Sequence, residues 1–452
     1  MTLSSLRSVL RGDLLDDPSE LSDYAGDASP ATPVVPRAVV RAANVEDISH
    51  TLRWATEHGV PVTPRGAGTG KAGGCIASPG GIVLSLEAMN RIQSVRPGDG
   101  WAEVEPGVIT GRFREEMETQ GLFYPPDPNS IATCTLGGNV ATNAGGPVAL
   151  KYGVPSRLVL GVTAVLADGR VIETGKRQPK SVAGYDLTSL LVGSEGTLAV
   201  IAGIRLGLLP RPREVVTALL PFRTVADAAA TVSTARALGL TPRAMELVDG
   251  VVLRRIRPHA PFPIETSWGA LLLVEFDGDT EGRADQDLDR FLDAIPAPGP
   301  LEVKRADDPD ERDALWATRR FMSKLVKKDA VGWFSEDIAV PLSALPALVD
   351  RFEDIAARHR LTLATYGHAG DGNLHVNVLW DEPSGAERAH GAVEDVFRTA
   401  LEFGGTISGE HGIGTLKRPY LAWEQSPPVM ELQRAIRRRW DPAGILNPGK
   451  LL

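Results

Sequence analysis

The chain has 452 residues, more than one ordinary hydrophobic core organises, so we expect two or three domains. Hydrophobic residues make up 43% and charged residues 23%, which is typical of globular proteins and excludes a fibrous or disordered chain. The net charge of −9 argues against nucleic acid as the main partner. Cysteine occurs only at positions 75 and 134, without metal or redox spacing, so we expect a cytoplasmic protein. No apolar run approaches the length of a transmembrane span, so we expect at most peripheral membrane contact.

The first half of the chain alternates strand and helix signals. Residues 37–42 read as a strand, and Asn44 is expected to cap a helix from Val45 to His58 that Gly59 ends. Strands are predicted at 60–64 and 81–86, a hairpin at 91–95 with 101–106, and a helix at 109–120. A second hairpin is predicted at 158–174, with its turn at Asp168-Gly169. The pattern of strand and helix signals changes near Pro210, where we expect a domain boundary.

Three glycine-rich segments lie in this half: "PRGAGTGKAGG" (64–74), "TLGGNVATNAGG" (135–146) and "GSEGTLAVI" (193–201). The first follows a strand but is neither a P-loop nor a convincing dinucleotide fingerprint. Its unobstructed backbone N–H groups would suit a pyrophosphate, although a flexible surface loop is the alternative. Three such segments in one domain indicate a cofactor larger than a mononucleotide.

Beyond Pro210, strands and helices alternate, which predicts an α+β domain with an antiparallel sheet and helices on one face. Strands are expected at 215–222, 243–249, 270–276, 333–341 and in a hairpin around 361–378, and helices at 225–238, 281–294, 309–327 and 343–359.

Two histidines lie in "GHAGDGNLHVNV" (367–378). If Asp371-Gly372 forms a two-residue hairpin turn, His368 opposes His375 with Cβ atoms ~5 Å apart, and both can bind one ion. Asn377 follows on the same face, whereas two half-buried structural histidines are the alternative reading. A third ligand is offered by Glu410, next to His411 in "GGTISGEHGIGTLK", which could also be an ordinary glycine-rich turn. Two histidines and one carboxylate would suit a catalytic divalent metal.

The glycine segments, "KYG", "GYDLTSLLVGSEGTLAVI" and "NPGK" resemble the FAD-binding oxidoreductases of the vanillyl-alcohol-oxidase/p-cresol-methylhydroxylase superfamily. "GHAGDGNLHVNV" and "SGEHGIGTLK" are similar to its D-2-hydroxyacid dehydrogenase branch, which includes D-lactate dehydrogenase, the glycolate oxidase flavoprotein subunit and D-2-hydroxyglutarate dehydrogenase. The resemblance implies an N-terminal helical segment (1–30), a PCMH-type FAD-binding domain of two α+β subdomains (31–211), and a C-terminal antiparallel-sheet, ferredoxin-like domain for substrate and metal (212–452).

The resemblance also assigns site residues. The FAD-binding residues would be Pro64, Arg65, Gly66, Ala67, Gly68, Thr69, Gly70, Gly73, Gly74, Asp127, Thr135, Gly137, Gly138, Asn143, Gly145, Glu195, Gly196, Ile201 and Asn447, the last reaching the flavin from the second domain. Many relatives bind FAD covalently through a histidine in the first glycine loop. This chain has Lys71 and Ala72 there, so we expect non-covalent FAD.

The resemblance further implies that His368, His375 and Glu410 bind zinc, manganese or iron, with His411 as general base. Arg319 would bind the substrate carboxylate, with its neighbour Arg320 as the alternative, and Asn377 would complete the catalytic group.

The implied reaction is oxidation of a small D-2-hydroxy acid by hydride transfer to FAD N5, aided by the metal. Ser335 and Glu336 stand where hydroxyglutarate-specific relatives have a lysine, which favours D-lactate or glycolate. The alternatives are a D-2-hydroxyglutarate dehydrogenase and, from other classes, a metal-dependent hydrolase or a non-catalytic flavin subunit. The electron acceptor could be a quinone, an electron-transfer flavoprotein, a cytochrome or an iron–sulfur subunit.

Overall fold

The computed structural model describes residues 3–178, 180–260, 262–306 and 308–452, and the chain divides into two compact units. The first unit comprises Met1–Gly145, Gly153–Arg211 and Glu410–Leu452. The second comprises Gly146–Tyr152 and Pro212–Gly409. The C-terminal segment thus belongs to the first unit, whereas the expected division at 211/212 assigned it to the second domain.

The first unit contains two main sheets. The first has the order β1-β2-β4-β3, with strands β1 (Asp13–Leu15), β2 (Ala38–Arg41), β3 (Val62–Arg65) and β4 (Ile82–Ser85). In it, β4 pairs in parallel with both β2 and β3, while β1 is antiparallel to β2. The first 30 residues therefore contribute a strand as well as helices.

The second sheet of this unit is antiparallel, with the order β5-β6-β10-β8-β9. Its strands, and a small pair formed by β7 and β11, are β5 (Ile92–Arg96), β6 (Trp101–Val104), β7 (Leu122–Phe123), β8 (Val159–Val165), β9 (Val171–Glu173), β10 (Val200–Gly207) and β11 (Leu209–Pro210). The helices of the first unit are α1 (Ser4–Arg7), α2 (Pro18–Leu21), α3 (Val45–His58), α4 (Thr110–Thr119), α5 (Leu136–Thr142), α7 (Leu187–Leu191), α14 (Leu421–Glu424) and α15 (Pro427–Trp440).

Helix α3 shows why these elements form where they do. The Asn44 side chain accepts a hydrogen bond from the Asp47 N–H, and Gly59 adopts φ 64° at the C-terminal end. Ile48, Leu52 and Ala55 recur at helical spacing and are fully buried in the core beside the first sheet. The predicted bounds of this helix are confirmed.

The second unit has one seven-stranded sheet with the order β15-β12-β14-β13-β17-β18-β16. Its strands are β12 (Glu214–Phe222), β13 (Ala244–Asp249), β14 (Ala270–Gly278), β15 (Lys304–Arg305), β16 (Gly332–Ala339), β17 (Thr362–His368) and β18 (Asn373–Trp380). All of its strand pairs are antiparallel, as predicted. Its helices are α6 (Ala149–Tyr152), α8 (Val225–Ala237), α9 (Gly250–Ile256), α10 (Arg283–Asp293), α11 (Pro309–Leu325), α12 (Leu345–His359) and α13 (Gly385–Glu402).

The expectation of helices on only one face of this sheet is wrong. On β14, Leu271 and Leu273 share a core with residues of α9 and α11, while Phe276, of opposite parity, contacts Phe291 of α10. Because alternate side chains point to opposite faces of a strand, helices cover both faces. The sequence carries this signal, since "ALLLV" (270–274) is continuously apolar instead of alternating.

Candidate functional site

A cavity that is partly open to solvent lies in the first unit. All three glycine-rich segments contribute to its wall, together with His411 and several apolar side chains. The lining residues are Pro64, Arg65, Gly66, Gly70, Ala72, Gly74, Cys75, Leu86, Pro106, Thr135, Gly137, Gly138, Ala141, Thr142, Glu195, Gly196, Ala199, Ile201 and His411. The segments that the sequence analysis grouped by composition are therefore brought together in space.

Helix α5 forms one wall of the cavity. Thr135 caps its start, where the Thr135 Oγ1 accepts a hydrogen bond from the Gly138 N–H at 3.2 Å. Gly138, Ala141 and Thr142 line the cavity at i, i+3 and i+4, so one helix face is directed to it. Asn143 ends the helix in the left-handed conformation, with φ 52°, which an asparagine tolerates well.

Glu195 joins the cavity to the C-terminal segment. Its carboxylate accepts hydrogen bonds from the backbone N–H groups of Ile413 at 2.7 Å and Gly414 at 2.8 Å. Burial raises the pKa of Glu195, although these two donors and the charge of Lys417 oppose the rise. The residue adopts φ 52°, a conformation that is strained for glutamate and that occurs where a site constrains the backbone.

Asn447 connects two of the glycine-rich segments. Its side-chain Nδ2 donates to the carbonyl oxygens of Gly74 at 3.0 Å and Glu195 at 2.8 Å, and the residue is 1% exposed. Nearby, Val62 pairs with Leu446, which extends the first sheet with the C-terminal segment. Asn447 therefore shapes the cavity from within the first unit, through backbone contacts, and is not itself among the lining residues.

The predicted cofactor residues separate into two groups. Pro64, Arg65, Gly66, Gly70, Gly74, Thr135, Gly137, Gly138, Glu195, Gly196 and Ile201 line the cavity. Gly68, Thr69, Gly73, Asp127, Asn143, Gly145 and Asn447 do not, and Ala67 lines a neighbouring cavity that shares Thr135 with the first.

Several lining residues were not predicted from the sequence, namely Ala72, Cys75, Leu86, Pro106, Ala141, Thr142 and Ala199. Ala141 and Thr142 could have been found from the helical spacing after Gly138. The others are small or apolar residues that a sequence alone does not distinguish from core. Burial raises the pKa of the Cys75 thiol to about 11, so this lining residue is a neutral thiol at physiological pH.

The β17–β18 hairpin carries the two predicted histidine ligands, but its predicted register is wrong. His375 pairs with Tyr366, whereas His368 lies opposite Glu246 on β13. The connection is longer than two residues because Ala369–Asp371 form a 3-10 turn and only Gly372 takes a positive φ, of 73°. The shift relative to the prediction is an even number of positions, so both histidines still share one face.

The two imidazoles are close neighbours on that face. Their ring centroids lie 5.3 Å apart at an interplanar angle of 84°, and a nitrogen atom of one ring lies within 4.8 Å of a nitrogen of the other. The Nδ1 atom of His368 is 2.6 Å from Oε1 of Glu246, which is fully buried. A carboxylate at this position accepts the Nδ1 hydrogen and leaves the lone pair on Nε2 for a metal.

Arg319 is the second partner of Glu246. Its Nε donates to Glu246 Oε2 at 2.5 Å, and its guanidinium carbon lies 4.8 Å from the ring centroid of Tyr366. Arg319 is 6% exposed, whereas Arg320 is exposed, so of the two predicted candidates Arg319 is directed inward. Burial would raise the pKa of Glu246, but the positive charge of Arg319 and the hydrogen bonds from His368 and Arg319 outweigh burial and lower it.

Asn377 lies on the same face as the histidines, as predicted, because it is two residues from His375 on β18. It pairs with Ala364 on one side and Ser335 on the other. Its Oδ1 accepts a hydrogen bond from Ser335 Oγ, and its Nδ2 donates to the Ala364 carbonyl, both at 3.0 Å. These two bonds fix the amide firmly in the sheet.

His368, His375 and Glu410 are the residues that could hold a metal ion among the described ones. Glu410 directly follows Gly409, the last residue of the second unit, and Gly409 packs so closely on Asn373 that a side chain at 409 would collide with it. Asn373 is two residues from His375, so the chain leads to Glu410 from close beside the hairpin. Two imidazoles and one carboxylate fit zinc, manganese or iron.

Two family models match the chain: "FAD binding domain" over residues 36–175 and "FAD linked oxidases, C-terminal domain" over residues 211–451. The chain belongs to the FAD-linked oxidase family. This FAD-linked oxidase is 39% identical to the glycolate oxidase subunit GlcD of Bacillus subtilis, over 95% of this chain and 91% of that protein.

Two further relatives have other substrates in their names. The D-lactate dehydrogenase of Anaerostipes hadrus is 34% identical, over 92% of this chain and 89% of the relative. The D-2-hydroxyglutarate dehydrogenase of Stutzerimonas stutzeri is 32% identical, over 97% and 96%. The structure of p-cresol methylhydroxylase with substrate bound shares the fold, with a TM-score of 0.82 and 18% identity over 99% of this chain and 95% of that one.

The cavity with its three glycine-rich walls is therefore the candidate FAD site of an FAD-linked oxidase. Gly70 has open space where a Cβ would stand, and Gly66 and Gly137 pack where a side chain would collide with Thr135 or Pro106, so the wall residues fit a cofactor bound against bare backbone. Among the described residues, every helix is too short or too polar to cross a lipid bilayer.

Proposed function

We propose that this FAD-linked oxidase is a metal-dependent dehydrogenase of a small D-2-hydroxy acid, with D-lactate or glycolate as substrate. The observation that carries the proposal is that His411 lines the cavity and directly follows Glu410, a candidate metal ligand. Adjacent residues of the chain thus belong to the wall of the candidate flavin site and to the candidate metal site.

FAD and a divalent metal ion would each make a defined contribution to the reaction. Non-covalent FAD, held by the lining residues of the cavity, would accept the hydride from the substrate Cα. A divalent ion held by His368, His375 and Glu410 would act as a Lewis acid toward the substrate oxygens.

The remaining chemistry falls to side chains of the chain itself. His411 would accept the proton of the substrate hydroxyl, because an imidazole nitrogen can take up a proton and this side chain reaches the cavity. Arg319 would bind the substrate carboxylate through Nη1 and Nη2, which have no hydrogen-bond partner in the described part of the chain. The fixed amide of Asn377 would keep the face beside the histidines polar.

The preference for a small substrate rests on β16. Ser335 and Asp337 pair with Asn377 and His375, so they share the face that carries the histidines. Neither side chain is positively charged. Binding of a second substrate carboxylate, such as that of D-2-hydroxyglutarate, is favoured by a positively charged side chain. The names of the relatives include both substrate sizes, so D-2-hydroxyglutarate is the competing substrate.

The test is a dye-linked screen of the purified flavoprotein. D-lactate, L-lactate, glycolate and D-2-hydroxyglutarate are compared before and after dialysis against a chelator, and again after manganese or zinc is restored. We expect turnover of D-lactate or glycolate that chelation abolishes and metal restores. His368→Ala should lack the metal by elemental analysis yet retain FAD. Undiminished turnover in the metal-free enzyme would refute the metal requirement, and preferred turnover of D-2-hydroxyglutarate would refute the small substrate.

A further inference from the structure

The Glu246 side chain holds two functional groups with one carboxylate. Its Oε1 lies 2.6 Å from Nδ1 of His368, and its Oε2 lies 2.5 Å from Nε of Arg319. Glu246 and Arg319 are 0% and 6% exposed, and His368 is 6% exposed, so water does not compete strongly for these bonds. We propose that Glu246 is a positioning residue that couples the metal ligand His368 to the substrate-binding Arg319. This inference rests on the proposed function and adds a residue to its site.

On the His368 side, Glu246 sets the tautomer. The two residues are register partners on β13 and β17, so the backbone pairing itself aligns the carboxylate with the ring. With the hydrogen on Nδ1 committed to Glu246, the lone pair is on Nε2. A histidine ligand oriented in this way binds metal more tightly, and loss of the carboxylate partner typically weakens affinity about 10–100-fold.

On the Arg319 side, Glu246 takes Nε and leaves the two terminal nitrogens of the guanidinium. The Tyr366 ring supports the flat face of the group at 4.8 Å. These two contacts restrict rotation of a long side chain that would otherwise sample many rotamers. A restrained fork binds a carboxylate with less loss of conformational entropy than a mobile one.

His368 and Arg319 are coupled because both donate to the same carboxylate. Glu246 must accept from both His368 and Arg319, and only a carboxylate presents an acceptor oxygen to each. In Glu246→Gln, one of the two positions becomes an N–H₂ group that faces another N–H. The amide also carries no negative charge, so the bond that its oxygen keeps is weaker than the original bond to the carboxylate. A single substitution is therefore expected to lower both metal affinity and substrate affinity, whichever way the amide is oriented.

The control is Glu275→Gln. Glu275 lies on the adjacent strand β14, is also buried at 4% exposure, and accepts hydrogen bonds from Thr217 and Trp316 while pairing with Arg243. It does not touch His368 or Arg319. Glu275→Gln thus also removes one buried carboxylate from the same sheet, but it leaves the contacts of His368 and Arg319 unchanged.

Wild type, Glu246→Gln and Glu275→Gln are purified with FAD, and the flavin absorbance reports folding. The metal-free proteins are titrated with manganese alone, and then KM and kcat for D-lactate are measured at saturating manganese. For Glu246→Gln we expect manganese affinity about 10–100-fold weaker and KM raised roughly tenfold or more, with a smaller change in kcat. Glu275→Gln should match wild type in both measurements.

Wild-type values for both constants in Glu246→Gln, or a change in only one of them, overturn the coupling. Equal losses in Glu275→Gln overturn it too, because they would reflect general damage to the sheet. If Glu246→Gln does not retain FAD, Glu246→Asp replaces it: its carboxylate is retracted by one carbon and cannot reach both partners, so the same double loss is expected. A wild-type protein that binds neither manganese nor zinc and oxidises neither D-lactate nor glycolate would instead refute the proposed function, which separates the two failures.

Discussion

Replacement of Asn447 by alanine tests whether the C-terminal segment holds the flavin cavity together. The wild-type amide donates to the carbonyls of Gly74 and Glu195, both of which belong to lining residues. Alanine cannot reach either oxygen, so two buried acceptors lose this donor. Each such loss costs about 1–3 kcal/mol, and partial relaxation around the site reduces the total to roughly 2–4 kcal/mol of unfolding free energy.

The assay has two parts. Urea unfolding of the FAD-free protein gives the loss of stability, and titration with FAD gives the change in affinity. Because both carbonyls belong to the cavity wall, we expect FAD affinity to fall at least tenfold, which corresponds to about 1.4 kcal/mol. The control is Asn90→Ala, since Asn90 is exposed and makes one hydrogen bond to the Glu87 carbonyl at 3.3 Å, so its loss should stay within about 0.5 kcal/mol.

If Asn447→Ala unfolds at the same urea concentration as Asn90→Ala and binds FAD as tightly, the C-terminal segment does not hold the cavity together. A loss of stability with unchanged FAD affinity would show that Asn447 stabilises the fold but not the shape of the cavity.

Three other predictions follow from the same structure. His411→Asn should retain FAD and metal but slow anaerobic flavin reduction by D-lactate about 10²–10⁴-fold in stopped flow, and a near-wild-type rate would place the base elsewhere. Acid precipitation should release all the flavin into the supernatant, because Lys71 and Ala72 occupy the loop where covalent relatives have a histidine; protein-bound yellow colour would contradict this. Lys450 donates to the Ile76 carbonyl, and burial lowers its pKa from 10.5 to about 8. The folded state therefore binds fewer protons than the unfolded state between these values, so the stability of wild type relative to Lys450→Met should rise from pH 8 to about 10.5 in urea unfolding, and a flat difference would refute the assignment.

Local signals predicted much of the fold. The bounds of α3 follow from a capping asparagine, a regular apolar period and a terminal glycine, all within 16 residues of one another. The glycine segments were also recognisable, because bare backbone has few uses other than a close approach to a ligand. Their assembly into one cavity depends on long-range contacts, such as Asn447 with Gly74, that no local pattern contains.

The candidate site, like the fold, was predicted where local signals sufficed and missed where long-range contacts decide. The Asp371-Gly372 pair suggested a two-residue turn, but Asp371 does not adopt a positive φ, and the pairing shifted. The shared face of His368 and His375 survived because the strand period is two. Glu246 was missed altogether, since "RAMELVD" is an ordinary strand sequence and its role arises only from the pairing of β13 with β17, 122 residues away.

The return of Glu410–Leu452 to the first unit has a consequence for biosynthesis. All three glycine-rich segments precede Pro212–Gly409 in the chain, whereas the donors to Glu195 at Ile413 and Gly414, and the Asn447 amide, follow it. During synthesis, the glycine-rich segments therefore emerge before the residues that donate to them. We expect flavin to bind only after the second unit has been made, and a chain that stops at Gly409 to be a colourless apoprotein even though most of the lining residues are present.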